Sequence, residues 1–135
     1  MYYPDMHRET RWPGTAPREY TFIGWLDAAF PFPIGDVDAM TVRKIRELCK
    51  HPEVSTRGFH ACTLCRKEVG IEDDGIAIQD EIGRLGSAEI LVRASDGSDF
   101  LFPDLILHYI EDHHYLPPAA FRDAVTIAVV PKRAP

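Results

Sequence analysis

A chain of 135 residues, 45% hydrophobic and 27% charged with a formal net charge of −6, has the profile of one globular domain with enough apolar surface to build its own core. The acidic balance argues against a nucleic-acid binder, because Lys and Arg on phosphates supply most of that affinity; it suits a basic protein partner instead. No run approaches the ~18 apolar residues of a membrane span, and the first ten residues lack the basic start and apolar stretch of a secretory signal, so the expected compartment is the cytoplasm.

Residues 1–19 carry Pro4, Pro13, Gly14 and Pro17 among alternating charges, which is loop chemistry and predicts an extended N-terminal arm. Tyr20 to Leu26 is aromatic and β-branched and reads as a strand, stopped by Asp27 and by Pro31-Phe-Pro33-Ile-Gly35. Trp25, Phe30 and Phe32 could form a stacking surface for a ligand, but aromatics of this size more commonly anchor a core or a loop. From Asp36 to about Lys50 the period changes to that of a helix. Asp36 or Asp38 can cap it, Val42, Ile45, Leu48 and Cys49 form its apolar stripe, and Arg43, Lys44, Arg46 and Lys50 form a solvated basic face. Cys49 then reads as a small buried hydrophobe.

Gly58 to Cys62 reads as a short strand entering a Cys62-Thr-Leu-Cys65 turn. The carboxylates of residues 72–81 lack the ligand spacing of a calcium loop and read as a solvated acidic excursion. Glu89–Ala94 and Asp99–Phe102 flank Asp96-Gly97, a hairpin signal. A two-residue loop would set Ala94 opposite Asp99, Val92 opposite Leu101 and Leu91 opposite Phe102. Both faces of that hairpin carry apolar groups, so it should be covered on both sides or extended by another strand. Pro103 suits the first position of a following helix, with Leu105, Ile106, Tyr109 and Ile110 as its stripe and its end near His113 or His114. Leu116-Pro117-Pro118 terminates it and leads into a last helix from Ala119 to about Ile127. Residues 131–135 form a tail expected to fray.

The chemistry concentrates in two places. Cys62 and Cys65, with His108 and His113, make the ligand inventory of a closed tetrahedral zinc site. The 42 residues between Cys65 and His108 exceed the ~12–15 of a compact finger, so a larger, treble-clef-like or embedded knuckle is required. Residues five apart on an ideal helix are rotated by about 140° net, so His113 joins His108 only if the last turn loosens, as the approaching Pro117-Pro118 allows. His60 or His114 could replace one of these ligands. Two other readings stand beside zinc: a Cys-x-x-Cys redox pair, which wants a helix opening at the motif, and structural coincidence, with His113 and His114 simply favourable at a helix C-terminus. No phosphate loop, nucleophile elbow or paired-carboxylate signature is present.

Gly24-Trp-Leu-Asp27 with Pro31-Phe-Pro-Ile-Gly35, Thr56-Arg-Gly-Phe-His60-Ala-Cys62-Thr-Leu-Cys65, Leu85-Gly-Ser-Ala-Glu-Ile90, and His108-Tyr-Ile-x-x-His113-x-Tyr115-x-Pro117-Pro118 together resemble a family of small stand-alone bacterial proteins classed as a domain of unknown function. The resemblance runs from about Tyr20 to Val125. It implies no established activity, and it places His60, Cys62, Cys65, His108 and His113 at motif positions but not His114, which favours His113 as the ligand.

The expected fold is α+β, a small antiparallel sheet with about three helices in one domain over residues 20–130, stapled by Zn2+ at Cys62, Cys65, His108 and His113. The expected role is contact with another protein, of the immunity or adaptor type. The rival expectation is a metal-dependent, hydrolase-like enzyme with an incompletely ligated ion near His60 and His114.

Overall fold

The computed structural model describes residues 2–55, 58–65 and 77–131. Seven strands are named in chain order: β1 (His7–Arg11), β2 (Arg18–Phe22), β3 (Val54–Ser55), β4 (Gln79–Asp80), β5 (Gly83–Arg84), β6 (Ala88–Arg93) and β7 (Asp99–Pro103). Three helices are α1 (Ala39–Cys49), α2 (Ile106–His113) and α3 (Ala119–Ile127); residues 63–65 add a helical turn. Five strands form one sheet in the order β1-β2-β7-β6-β3, and β4 and β5 make a separate small ribbon.

The α+β class is as expected, but the main sheet is mixed. Thr21 and Phe22 of β2 run parallel to Phe100 and Leu101 of β7, and the Ile23 N–H donates to the Leu101 carbonyl at 3.1 Å. A parallel pair needs a long crossover, and the one here contains α1, the Cys62–Cys65 turn and β6, so short-range pattern could not reveal it. The β6–β7 hairpin also differs from expectation by one residue. Arg93 faces Asp99, Val92 faces Phe100 and Leu91 faces Leu101. In the loop the Gly97 N–H donates to the Ala94 carbonyl at 3.0 Å and the Ala94 N–H to the Ser98 carbonyl at 2.8 Å. Gly97 has φ +89° while Asp96 keeps a negative φ. A two-residue type I′ loop would need both positive; a single left-handed glycine after the turn gives the three-residue, bulged alternative instead.

As the pattern required, the sheet is covered on both faces. Ile90, Val92, Phe100 and Phe102 join Ile45, Leu48, Ile106, Phe121 and Val125 in the main core under the helices. Tyr20, Phe22 and Leu101 form a second cluster on the other face, with Tyr3, Trp25 and Leu91 packed against it. Ionic contacts lie across this second face. Arg11 sits 5.0 Å over the Phe22 ring and bonds Glu89 at 3.2 Å, and Asp99 accepts from Arg18 Nε at 2.8 Å and Arg93 Nε at 2.9 Å. Asp99 thereby ties three strands together. Burial would push its carboxyl up, but hydrogen bonds from Arg93 and Arg18 outweigh that and hold it below the ordinary value.

The N-terminal segment, expected as a loose arm, contributes the edge strand β1, in full register with β2 from His7↔Phe22 to Arg11↔Arg18. Its sequence, His-Arg-Glu-Thr-Arg, has no apolar alternation to announce a strand, and charged side chains suit an edge that must not recruit further strands. Tyr20–Leu26 contains a shorter strand than expected: β2 ends at Phe22, and Gly24 takes φ +79°. The aromatic trio acts as loop anchors. The Trp25 indole N–H donates to the Leu101 carbonyl at 3.1 Å, Phe32 sets its ring edge-on to Tyr115, and Phe30 stacks on Tyr2.

Helix α1 is capped by Asp38, whose side chain accepts from the Thr41 N–H at 2.8 Å, and it buries Ile45, Leu48 and Cys49. Its basic face is not simply solvated. Arg46 forms a two-pronged pair with Asp80, 3.0 Å on each prong, and also bonds Glu111 of α2, while Lys44 Nζ donates to the Thr126 carbonyl at the end of α3. Pro103 closes β7 instead of opening α2, which begins at Ile106. Helix α3 spans Ala119–Ile127 as expected. Of the acidic excursion, residues 72–76 lie outside the described residues, as does the tail beyond Pro131; its second half is not simply solvated, because Asp80 is 11% exposed and paired with Arg46.

Two predictions follow from these contacts. Because the Asp99 carboxyl is held below its ordinary value, its stabilising contribution is present above about pH 4 and is lost as pH falls through the folded-state value. Asp99→Asn should therefore lower the thermal midpoint by a few degrees at pH 7, and the gap from the natural protein should close in scans toward pH 2. Gly86, at φ +116°, lies so close to the segment before Cys62 that an added Cβ would stand 2.3 Å from the His60 carbonyl oxygen, whereas Gly83, at φ +121°, has nothing within 4 Å. Gly83→Ala should cost the ~1–3 kcal/mol of a strained backbone, and Gly86→Ala clearly more, measured by urea unfolding.

Candidate metal centre

Two unconnected stretches supply the site. The first is the turn Cys62-Thr-Leu-Cys65, in which the Cys65 N–H points at Cys62 Sγ at 3.4 Å, a contact that fixes one sulfur relative to the other. Thr63 Oγ1 accepts from the Ala28 N–H at 3.0 Å and holds the turn to the loop after β2. The second is α2, which is buried from Ile106 through Ile110 and so has a fixed rotation about its axis. His108 and His113 leave that helix on the side facing the turn.

The end of α2 answers the geometric difficulty of histidines five residues apart. The His114 N–H reaches back to the Tyr109 carbonyl, and the Tyr115 N–H reaches the same oxygen at 3.0 Å. These closures span five and six residues instead of four, so the last turn is wider than α-helical. His114 then takes φ +56°, and the chain leaves the helix axis. At the helix end so widened, the His113 ring lies beside that of His108, the two centroids 4.9 Å apart.

The four side chains converge. Among the described residues, one ligand atom from each of Cys62, Cys65, His108 and His113 lies within 4.8 Å of all the others. The two Nε2 atoms are 3.2 Å apart. Cys65 Sγ is 3.1 Å from His108 Nε2 and 3.4 Å from His113 Nε2, and Cys62 Sγ is 3.6 Å from His113 Nε2. An ion ~2.3 Å from sulfur and ~2.0 Å from nitrogen would set tetrahedral edges of roughly 3.3 Å between nitrogens and 3.5 Å between sulfur and nitrogen. The measured separations fit that figure. A hydrogen bond joins two atoms through one proton, whereas His113 Nε2 has three donor atoms within 3.6 Å. One cation at the centre satisfies all of them together.

His108 Nδ1 lies 2.7 Å from Asp112 Oδ2, four residues on. A carboxylate on the far ring nitrogen holds the proton there and leaves the Nε2 lone pair for a metal. Asp112 was not among the sequence candidates, although its spacing from His108 on one helix face was the available signal. Burial pushes the Cys62 thiol up to about 12. A nucleophilic or redox cysteine needs the opposite shift, so the helical turn at 63–65, which would suit a Cys-x-x-Cys redox pair, is not matched by the electrostatics. A metal, by contrast, displaces the proton as it binds.

Neither alternative ligand joins the cluster. The His60 main chain is held to the stretch between β5 and β6, its N–H donating to the Gly86 carbonyl at 2.9 Å, and its side chain borders a separate cleft. His114, in its left-handed conformation, is exposed, and its carbonyl accepts from the Gly35 N–H at 2.9 Å. The expected short strand at 58–62 is likewise not a named strand; β3, at Val54–Ser55, precedes it.

Over residues 1–126 the chain matches the family described as a domain of unknown function, DUF7919. Neither a curated protein nor a solved structure matches it.

With the site held as described, Asp112→Asn should leave the fold intact, since this side chain is 64% exposed, and should weaken metal affinity about 10–100-fold. Competition against a chromophoric chelator measures the change.

Proposed function

The chain belongs to the DUF7919 family, whose description assigns no activity, and we propose that it is a small zinc protein in which the ion is structural and the working surface is a protein-binding one. The observation that carries the reading is the closed donor set. Two sulfurs and two imidazole nitrogens lie close enough together to hold one ion; as ligands they would fill every position of a tetrahedral metal and leave no place for water or substrate. Zinc is the metal that suits mixed thiolate and imidazole ligands in this arrangement. Its effect would be to fix the end of α2 against the Cys62–Cys65 turn.

That helix end in turn anchors an apolar loop. The Leu116 N–H donates to the Pro33 carbonyl at 2.9 Å, and Ile34 bridges to Tyr115. On this loop and the start of α1, Phe30, Ile34 and Met40 are exposed, Ile34 by 72% and Met40 by 75%. Exposed apolar groups on this loop and helix start are candidates for a contact surface, and an adaptor or immunity type of role in a reducing compartment such as the cytoplasm accords with them. No helix among the described residues is long and apolar enough to cross a membrane. A metal-dependent hydrolase would need an open position at the ion and a nearby acid or base, and His60 and His114 stand outside the cluster.

Elemental analysis of protein purified without an affinity tag should give one zinc per chain. Removing it with a chelator should lower the thermal midpoint by roughly 10 °C or more, with Cys62→Ser reproducing the loss. Protein without metal that melts at the same temperature would overturn a structural role. A folded Cys62→Ser variant that loses a metal-dependent hydrolysis would favour the enzyme.

A further inference from the structure

A cleft of about 230 Å3 lies beside the thiol–imidazole cluster, between the loop after β2, the segment entering the Cys62–Cys65 turn, the start of β6 and α2. It stands just below the ~300–1,000 Å3 of typical small-molecule sites, a size for one compact ligand or one inserted side chain. Trp25, Leu105 and Tyr109 give it apolar wall, and Asp27, His60 and Ser87 give it polar groups. Trp25 is held in place by its indole bond to Leu101 and by edge contacts with Tyr3, so the wall is formed in advance.

The charge balance selects the ligand. Among the described residues that line the cleft there is no Lys or Arg, which favours a cationic ligand over phosphates and carboxylates. Two carboxylates line it. Glu89 is already paired, with Arg11 Nη1 at 3.2 Å from its Oε2. Asp27 has no cation within ion-pair distance among the described residues; its Oδ1 accepts only the Ala29 N–H of its own turn, at 2.8 Å. A half-buried carboxylate with no counter-charge among the described residues, lining the same cleft as a fixed indole, matches the recognition of an organic cation.

We propose that this cleft binds a primary ammonium or guanidinium group on a short aliphatic stem, with Asp27 as the counter-charge. The cation could belong to a free small amine or to a Lys or Arg side chain of a protein partner, and the chemistry of capture is the same.

The test uses the metal-loaded full chain carrying Trp12→Phe, a change at an exposed position that leaves Trp25 as the single indole reporter. Butylamine, butylguanidine, butanol and butyrate are titrated separately while the Trp25 indole N–H resonance is followed. Saturable shifts from the two cations, with butanol and butyrate at least about tenfold weaker, are expected. Asp27→Asn keeps an oxygen for the Ala29 N–H and removes only the charge, so it should weaken butylguanidine by a similar factor with an unchanged melting temperature. A blocked Gly-Arg-Gly peptide binding tighter than butylguanidine assigns the site to a partner's side chain; the reverse order assigns it to a free amine. Binding that is indifferent to charge or to Asp27→Asn, or no saturable shift from any of the probes, overturns the proposal.

Discussion

Two imidazoles on one helix can share an ion only if they point the same way, and a separation of five residues forbids that on a regular helix. Much of the local structure around α2 is the resolution of this conflict. The closing hydrogen bonds widen to five and six residues, His114 turns left-handed, and Pro117-Pro118 blocks any return to helix before α3 begins. The same exit carries Tyr115, fully buried and in contact with Phe32, so the distortion is held by the core as well as by the ligands.

The second constraint is that the Cys62–Cys65 turn must be delivered to that helix from 42 residues away. It is positioned through a main-chain contact just ahead of it. His60 is bonded to Gly86, and Gly86 donates in turn to Asp104 Oδ1 at 2.8 Å, immediately before α2. Burial pushes the Asp104 carboxyl up, against the opposing pull of its amide donors. Arg46 adds a link from α1 to Glu111 on the outer side of the same helix. Sheet, turn and helix are thus connected by short polar contacts independently of any ion, in keeping with a chain large enough to fold around its own core.

Elements with a strong local signal were legible in the sequence: the cap and stripe of α1, the last helix, the two-sided hairpin and the clustering of Cys62, Cys65, His108 and His113. The four could be brought together on paper because their residue types are chemically distinctive, and because helix geometry says what a spacing of five demands. The parallel contact of β2 with β7 was not legible, because nothing near either strand encodes a pairing partner some eighty residues away. The hairpin register slipped because Asp96-Gly97 supports more than one turn, and the φ sign at Asp96 decides between them. The edge strand β1 was missed since its stability comes from Phe22 and Tyr3 beneath it and not from its own composition. Arg46 was taken for a solvated cation because its acidic partners, Asp80 and Glu111, lie far along the chain.

One carboxylate near the beginning of the chain has a reach out of proportion to its position. Asp5 accepts from the Gly24 N–H through Oδ1 at 3.1 Å and from the Tyr115 hydroxyl through Oδ2 at 2.7 Å, bracing the departure of β2 against the departure of α2. The opening residues are therefore not ornamental trim that can be clipped to tidy the molecule. Shortening the polypeptide past residue 5 would orphan a phenol in the interior and slacken the histidine-bearing helix from behind, a disturbance felt at the thiol–imidazole cluster without a single ligand being touched.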